Sequence, residues 1–493
     1  MRSIAAPVRT AHHFVPDLSR VIARPYLPAG ELSDPEPRTA RLVRRVLALS
    51  DEQVESRLEA VRRDFDGRHS DLARVLRDNY AHVLAQLVHR GNDLPDPSDQ
   101  QQMLIGAYAT HEFTIQAAGF FNPSMVPAPD QRGAAPGECR FVMSARSVGE
   151  GHLSCIEFRT GGVGLEGDVS FDEPSPYASM GAISPAHYDG QMFRAKLYEL
   201  GADPALTVQL IGPLGAGFER EDLERRIHEL SAEGVSPATA YKTVELSRML
   251  ASSNYVVEFP AEMPISEHVI FPVGPMESRG MEDARFVRFV DDDGSCTYYA
   301  TYTAFDGSNI LPQLIETADF TSFRVATLNG PSASNKGMAL FPRKIGDRYA
   351  ALSRYDKENI DLMFSDEVRH WENREHLRPP VHDWELVQIG NCGSPLETEA
   401  GWLVLTHGVG PMRTYSIGAL LLDLDDPERV LGALDEPLLT PDDSERNGYV
   451  PNVVYSCGGM LHDGLLVLPF GFSDAGIRVA LADLDSLLGR LTA

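Results

Sequence analysis

TEAGWLVLTHGVGPMRTYSIGALLLDLDDP, residues 398–427, opens on an acidic-glycine turn, runs through an apolar strand, crosses a polar loop and returns as a second apolar strand. The same plan recurs in DDDGSCTYYATYTAFDG (291–307), IGDRYAALSRYDKENIDLMFSDEVRHW (345–371) and HDGLLVLPFGFSDAGIRVALADLD (462–485). The turn glycines Gly294, Gly346, Gly401 and Gly464 stand 52, 55 and 63 residues apart. Such a period suits four-stranded blades with insertions, and five of them fill the β-rich span from about residue 119 to 480. The expected fold is mainly β, a five-bladed β-propeller. A β-sandwich with long hairpins is the alternative that the pattern leaves open.

Two segments depart from this pattern. RTARLVRRVLALSDEQVESRLEAVRRDFDGRHSDLARVLRDNYAHVLAQLVHR, residues 38–90, repeats apolar positions every three and four residues, with Ser50 and Asp51 placed to start a helix. EREDLERRIHELSAEGVSPATAYKTVELSRMLASS, residues 219–253, has the same period after the glycine-rich GPLGAG turn. LPDPSDQQQ, residues 94–102, reads as a linker. The expected organisation is therefore an extended segment over 1–35, a helical unit over 36–100, a propeller over 101–485 with a helical insertion at 219–253, and a tail over 486–493. The helical elements are candidates for contacts between copies in a homo-oligomer.

Charge narrows the function classes. Lys and Arg number 44 against 71 Asp and Glu, a formal net charge of -27, so the overall field repels nucleic acid and anionic membrane surfaces. A small anion is still admissible, because a cluster of arginines in a cleft outweighs a distant surface that salt screens over about 8 Å. Cys139, Cys155, Cys296, Cys392 and Cys457 form no CxxC pair or zinc-type spacing and read as reduced thiols. With no apolar leader core and no long apolar run, the expected compartment is the cytoplasm, with neither membrane nor nucleic-acid partner.

VGPMESRGMEDARFVRFV, residues 273–290, gathers Glu277, Arg279, Glu282, Asp283 and Arg285 between a proline turn and an apolar strand. Charges concentrated where a strand begins form either a salt-bridged turn or a site on a rigid scaffold. Breaking a glycosidic bond requires a carboxylic acid that can protonate the leaving oxygen. Neighbouring carboxylates and burial raise such a pKa and arginines lower it, a balance the residue string does not settle.

ESRGMEDAR resembles the E-x-R-G-x-E-D-x-R signature of glycoside hydrolase family 130, the β-mannoside phosphorylases and related β-mannosidases. Further similar stretches follow in order: FNPS (121–124), YTAFDG (302–307), SNKGMALFPRKI (334–345), SDEVRHWE (365–372), GWLVLTHGV (401–409), GALLLDLDDP (418–427) and FGFSDAGI (470–477). The resemblance implies a five-bladed propeller with a central cleft. It makes Asp283 the general acid, delivering its proton through the 3-hydroxyl of the bound mannose with inversion at the anomeric carbon. The nucleophile is then inorganic phosphate as co-substrate, or in the hydrolases a water activated by a carboxylate such as Glu150 or Glu282. No metal or organic cofactor is implied.

Phosphate needs several charge-assisted donors, preferably arginine forks. The candidates are Arg146, Arg159, Lys336, Arg354 and His407, of which Lys336 and Arg354 match family motifs. Ser353 stands where many phosphorylases carry histidine. Asn122, Arg279, Glu282, Tyr302, Asp306 and Asp474 are the candidates for binding the sugar. The expected reaction is phosphorolysis of β-mannosides, β-1,2-linked manno-oligosaccharides foremost, to α-mannose 1-phosphate and a shortened acceptor. A β-mannoside hydrolase and a non-catalytic sugar-binding propeller are the alternatives.

Overall fold

The computed structural model describes residues 6–26, 38–88, 96–233 and 235–492. It divides into two compact units, one of residues 17–117 with 175–180, the other containing the rest.

In the smaller unit, Ser50 caps the helix Asp51–Phe65 in a reciprocal pair with Gln53, and Ser98 does the same with Gln101 for Asp99–Tyr108. These helices pack with Arg38–Leu47 and Leu72–Val88 around Val43, Val54, Leu58, Leu76, Val83, Leu104 and Ile105. The crossing is so close that a Cβ at Gly106 would lie 1.9 Å from the Leu76 carbonyl oxygen. The 94–102 linker is thus corrected. Its residues 94–95 lie outside the described chain, and its second half is a capped helix, so the unit runs on past 100 to Thr110–Thr114, which pairs antiparallel with Val21–Pro25. Residues 36–37 and 89–90 of the expected helical span also lie outside the described residues.

The larger unit holds, among the described residues, five main groups of antiparallel strands, the first two of them parts of one sheet, besides the short pair Tyr188–Asp189 with Gly217–Phe218. The first contains Gly119–Pro127, Cys139–Val148, Ser154–Val163 and Val169–Phe171. The second contains Gly280–Val290, Cys296–Phe305, Ile310–Thr317 and Ser322–Thr327, with Tyr255–Glu258 outside them. It meets the first at one parallel pair, Gly280 opposite Ser154. The third is Lys336–Leu340, Tyr349–Arg354, Ile360–Ser365 and Asn373–Arg378. The fourth is built on Gln388–Asn391, Gly401–Val409, Tyr415–Leu422 and Val430–Ala433. The fifth is built on Val454–Tyr455, Leu465–Phe472 and Gly476–Asp483. Gly294, Gly346, Gly401 and Gly464 each open the second strand of a group with φ of 81°, 59°, 145° and 70°, a region that side chains other than glycine enter at a cost.

First strands of different groups touch. The Arg285 guanidinium donates to the Cys392 carbonyl, Asn391 donates to the Gly337 carbonyl, and Cys457 N–H donates to the Pro123 carbonyl. Chain start and chain end meet in the fifth group, where Val8–Phe14 pairs antiparallel with Gly476–Asp483. Of the extended segment expected over 1–35, the described part is strand at Val8–Phe14 and Val21–Pro25, paired into sheets rather than standing apart, and residues 1–5 and 27–35 lie outside the described chain. The expected tail over 486–493 is corrected as well: Leu484–Thr492 is a helix that buries Leu487 and Leu491.

The helical insertion is longer than 219–253. Asp189 caps Gly190–Glu199, Asp203 and Pro204 start Pro204–Ile211, and only then come Arg220–Ala232 and Pro237–Ser252. GPLGAG is a turn inside the insertion. Phe193, Leu197, Leu210, Leu223, Ile227 and Leu250 form its core. No described helix is long and apolar enough to cross a membrane.

Candidate active site

Three first strands lose register near their starts, between Phe121 and Ser124, Glu282 and Arg285, and Lys336 and Ala339. Asn122 and Asp283 sit inside two of these irregularities with φ of 51° and 57°, Asn335 precedes the third with 64°, and Asp474 turns the fifth group with 51°. Asn and Asp enter this left-handed region more readily than other residues with a Cβ, and backbone strain of this kind concentrates at functional sites. The irregularity has a chemical consequence. Adjacent residues of a regular strand point to opposite faces, yet Glu282 and Asp283 both reach Arg146.

Arg146 Nη2 donates to Glu282 Oε1 at 2.9 Å and Nη1 to Asp283 Oδ1 at 3.5 Å. Asn122 Nδ2 donates to the same Asp283 oxygen at 2.7 Å, and Lys336 Nζ donates to Glu282 Oε2. Below them, buried Arg285 fixes the backbone by donating to the Asp283 carbonyl at 2.9 Å, the Cys392 carbonyl at 2.9 Å and the Tyr455 hydroxyl at 2.7 Å. Arg354 lies opposite Lys336 in the neighbouring strand and donates to His407 Nε2 at 3.0 Å.

The charge states follow from these neighbours. Burial pushes the Asp283 carboxyl up, but Arg146, Arg285, Asn122 and Lys336 together outweigh it and hold the group below its ordinary value. Asp474 goes the other way. Burial raises it to about 6, helped by the carboxylates of Asp283 and Glu282 and opposed by Arg146 and Arg413. Burial and the adjacent Arg354 and Arg285 drive His407 well below its ordinary value. It is a neutral acceptor, not a cation.

The structure therefore brings together Asn122, Arg146, Glu282, Asp283 and Lys336, with Arg354 alongside Lys336 and Asp474 within electrostatic reach of Arg146 and Asp283. Other candidates fall elsewhere. Arg159 projects from the face of its strand opposite to that of Ile156, the partner of Arg146, and it pairs with Glu157 at 3.5 Å over the Phe120 ring. Tyr302 is 2% exposed and its hydroxyl donates to buried Glu277, which also accepts from Tyr255 at 3.0 Å and Val273 N–H at 2.8 Å. Asp306 accepts from the Ser308 and Asn309 N–H groups at 2.7 and 2.6 Å and so closes its own turn. Arg279 is exposed just ahead of Gly280, its N–H bonded to the Phe305 carbonyl. Arg285 and Tyr455 were missing from the candidates. Arg285 stood in the quoted motif, whereas Tyr455 is an unremarked aromatic in a short strand.

Several known proteins are similar to this chain. The 1,2-beta-oligomannan phosphorylase of Thermoanaerobacter sp. is 34% identical over 218 residues, 43% of this chain and 71% of that protein. The beta-1,2-mannobiose phosphorylase of Listeria innocua is 28% identical over 319 residues, 63% of this chain and 85% of its own length. The solved structure of a Listeria innocua beta-1,2-mannobiose phosphorylase with beta-1,2-mannobiose aligns with a TM-score of 0.44 at 20% identity, over 76% of this chain and 92% of that one. The sequence model of glycoside hydrolase family 130, described as beta-1,4-mannooligosaccharide phosphorylase, matches residues 239–492, just over half of the chain and all of the strands from Gly280 onward. The chain belongs to glycoside hydrolase family 130.

Proposed function

We propose that this enzyme cleaves β-mannosides by inverting phosphorolysis, releasing α-mannose 1-phosphate and a chain shortened by one sugar. The observation that carries the reading is the cluster of cations around a pair of carboxylates: Arg146 and Lys336 flank the Glu282–Asp283 pair and Arg354 stands beside Lys336. A hydrolase would need a carboxylate free to take a proton from water. Both oxygens of Glu282 already accept from cations, which leaves it poorly placed for that role.

In this reading a phosphate oxygen attacks the anomeric carbon, the glycosidic C–O bond breaks, and the proton held by Asp283 reaches the leaving oxygen, directly or through a sugar hydroxyl. The neighbouring cations hold Asp283 in its ionised form. Phosphate would neutralise the cations that keep it so and leave burial to favour the protonated form. Asn122 and Asp474 would hold sugar hydroxyls. A β-1,2 linkage is favoured because both relatives described above are named for it, although the family description names β-1,4. We further read the five strand groups as the blades of a five-bladed propeller, supported by the contacts among their first strands and by the pairing of chain start with chain end.

Incubation with β-1,2-mannobiose, with and without phosphate, tests the reading. Mannose 1-phosphate formed only with phosphate is the expected result. Free mannose at an equal rate without phosphate would make the protein a hydrolase, and no turnover of any β-mannoside would leave sugar binding alone.

A further inference from the structure

A cavity of about 1260 Å³ opens between the helical insertion and the loops of the second and third strand groups. Tyr188, Glu245 and Arg248 line it from the insertion, and Asn309, Asn335 and Lys357 from the loops. It is larger than the roughly 300–1,000 Å³ that encloses one drug-sized ligand. None of the groups that surround Asp283 lines it, so it is a separate space.

Topology nevertheless puts it at the same end of the strands as Asp283. In an antiparallel group the turn after the second strand lies beside the start of the first. Asn309 is in the turn between Cys296–Phe305 and Ile310–Thr317, Lys357 in the turn between Tyr349–Arg354 and Ile360–Ser365. Asp283 and Lys336 are at the starts of the corresponding first strands. Asn335 joins the two spaces: it is the residue before Lys336, and its amide donates to the Arg354 and Tyr355 carbonyls at 3.1 and 3.2 Å. The lining mixes apolar residues such as Leu246 and Met249 with the exposed polar groups Glu245, Asn309 and Lys357, a surface of the kind that recognises both the apolar faces and the hydroxyls of sugars, while the Tyr188 hydroxyl is already held by the Ala251 carbonyl.

We propose that this cavity binds the sugar units of a manno-oligosaccharide beyond the two that flank the cleaved bond, so that the enzyme favours chains longer than the disaccharide. The proposal rests on the phosphorylase reading, in which the departing chain must extend away from Asp283 toward open space. Much of the wall comes from the helical insertion, so chain-length preference would reside in a segment remote in sequence from the acid motif.

Glu245→Trp tests it, since Glu245 is an exposed helical position whose enlarged side chain would fill the cavity without disturbing the core. Wild-type kcat/KM for β-1,2-mannotetraose should exceed that for mannobiose by at least about 10-fold, the effect of one or two net hydrogen bonds. The variant should bring the ratio to about one, with mannobiose kinetics and melting temperature close to wild type. Lys357→Ala, in a separate loop, should shift the ratio the same way by a smaller amount and guards against a folding defect in the first variant. Equal wild-type kcat/KM for both sugars, or a variant that leaves the ratio untouched, overturns the proposal while the phosphorylase reading stands. Absence of mannose 1-phosphate from every chain length removes both.

Discussion

Asp474→Asn should make the protein more stable at pH 8 and leave it unchanged near pH 4. The carboxyl ordinarily titrates near 3.8 and in the fold near about 6, because burial among Asp283 and Glu282 disfavours its charge. A raised folded pKa means that Asp474 weakens the fold as pH climbs from about 4 through about 6, with no contribution below that window. Once ionised it costs at most about 3 kcal/mol, a bound that its partial contact with solvent reduces. A chain of 493 residues unfolds with an entropy on the order of 1 kcal/mol/K, so the melting temperature should rise by up to about 3 °C at pH 8. Differential scanning calorimetry at pH 4 and pH 8 reads the difference. An equal shift at both pH values, or a loss at pH 8, would refute the argument. If Asp474 also holds a sugar hydroxyl, the stabilised variant should bind mannosides less well, a trade common where function requires a buried charge.

Asp283→Asn keeps the size and the Arg146 and Asn122 neighbours, so folding should persist while turnover falls at least ~10²-fold, the lower range for a positioned general acid. Near wild-type rates would remove Asp283 from the mechanism. Lys336→Ala and Arg354→Ala should each raise KM for phosphate roughly 10- to 150-fold, equivalent to one charge-assisted hydrogen bond, with less effect on the oligosaccharide. An effect confined to the sugar would overturn that assignment. Phosphate binding should draw a proton onto Asp283, visible in calorimetry as a binding heat that depends on the buffer's ionisation heat, and Asp283→Asn should abolish that dependence. The cysteines are all free thiols, so dithiothreitol should leave the melting temperature unchanged, whereas a drop of several degrees would reveal a disulfide.

Hairpin spacing was legible because in four of the five strand groups the second strand opens on a glycine at positive φ, a local requirement that survives in one sequence. The helices over 190–211 were not. Gly190, Gly201 and Pro204 interrupt their period, and the caps Asp189 and Asp203 read equally well as loop residues. VRTAHHF shows little strand pattern, and its partner lies more than 450 positions away. In the site, the acid motif was visible as a charge cluster, but the sharing of Arg146 by two consecutive carboxylates depends on lost register that residue types do not announce. Tyr302 and Asp306 misled for a related reason: both sit in a motif near the site, but one hydroxyl faces the buried Glu277 and one carboxylate closes a turn.

Electrostatic balance connects the two halves of the proposed reaction. Arg146, Arg285, Lys336 and Arg354 stand against Glu282 and Asp283, His407 is neutral, and Asp474, which titrates near about 6, adds a third negative charge at neutral pH. The cluster thus carries an excess of about one positive charge at neutral pH, the sign that an anion such as phosphate would compensate. Buried excess charge is costly until it is compensated. A neutral disaccharide cannot compensate it, and water does so weakly in a partly closed site. Phosphate would, and the same event removes the field that keeps Asp283 ionised. Nucleophile binding and arming of the acid would then be a single electrostatic step, by which a carboxylate surrounded by cations would serve as a proton donor while its neighbour Glu282 stays paired with Arg146 and Lys336.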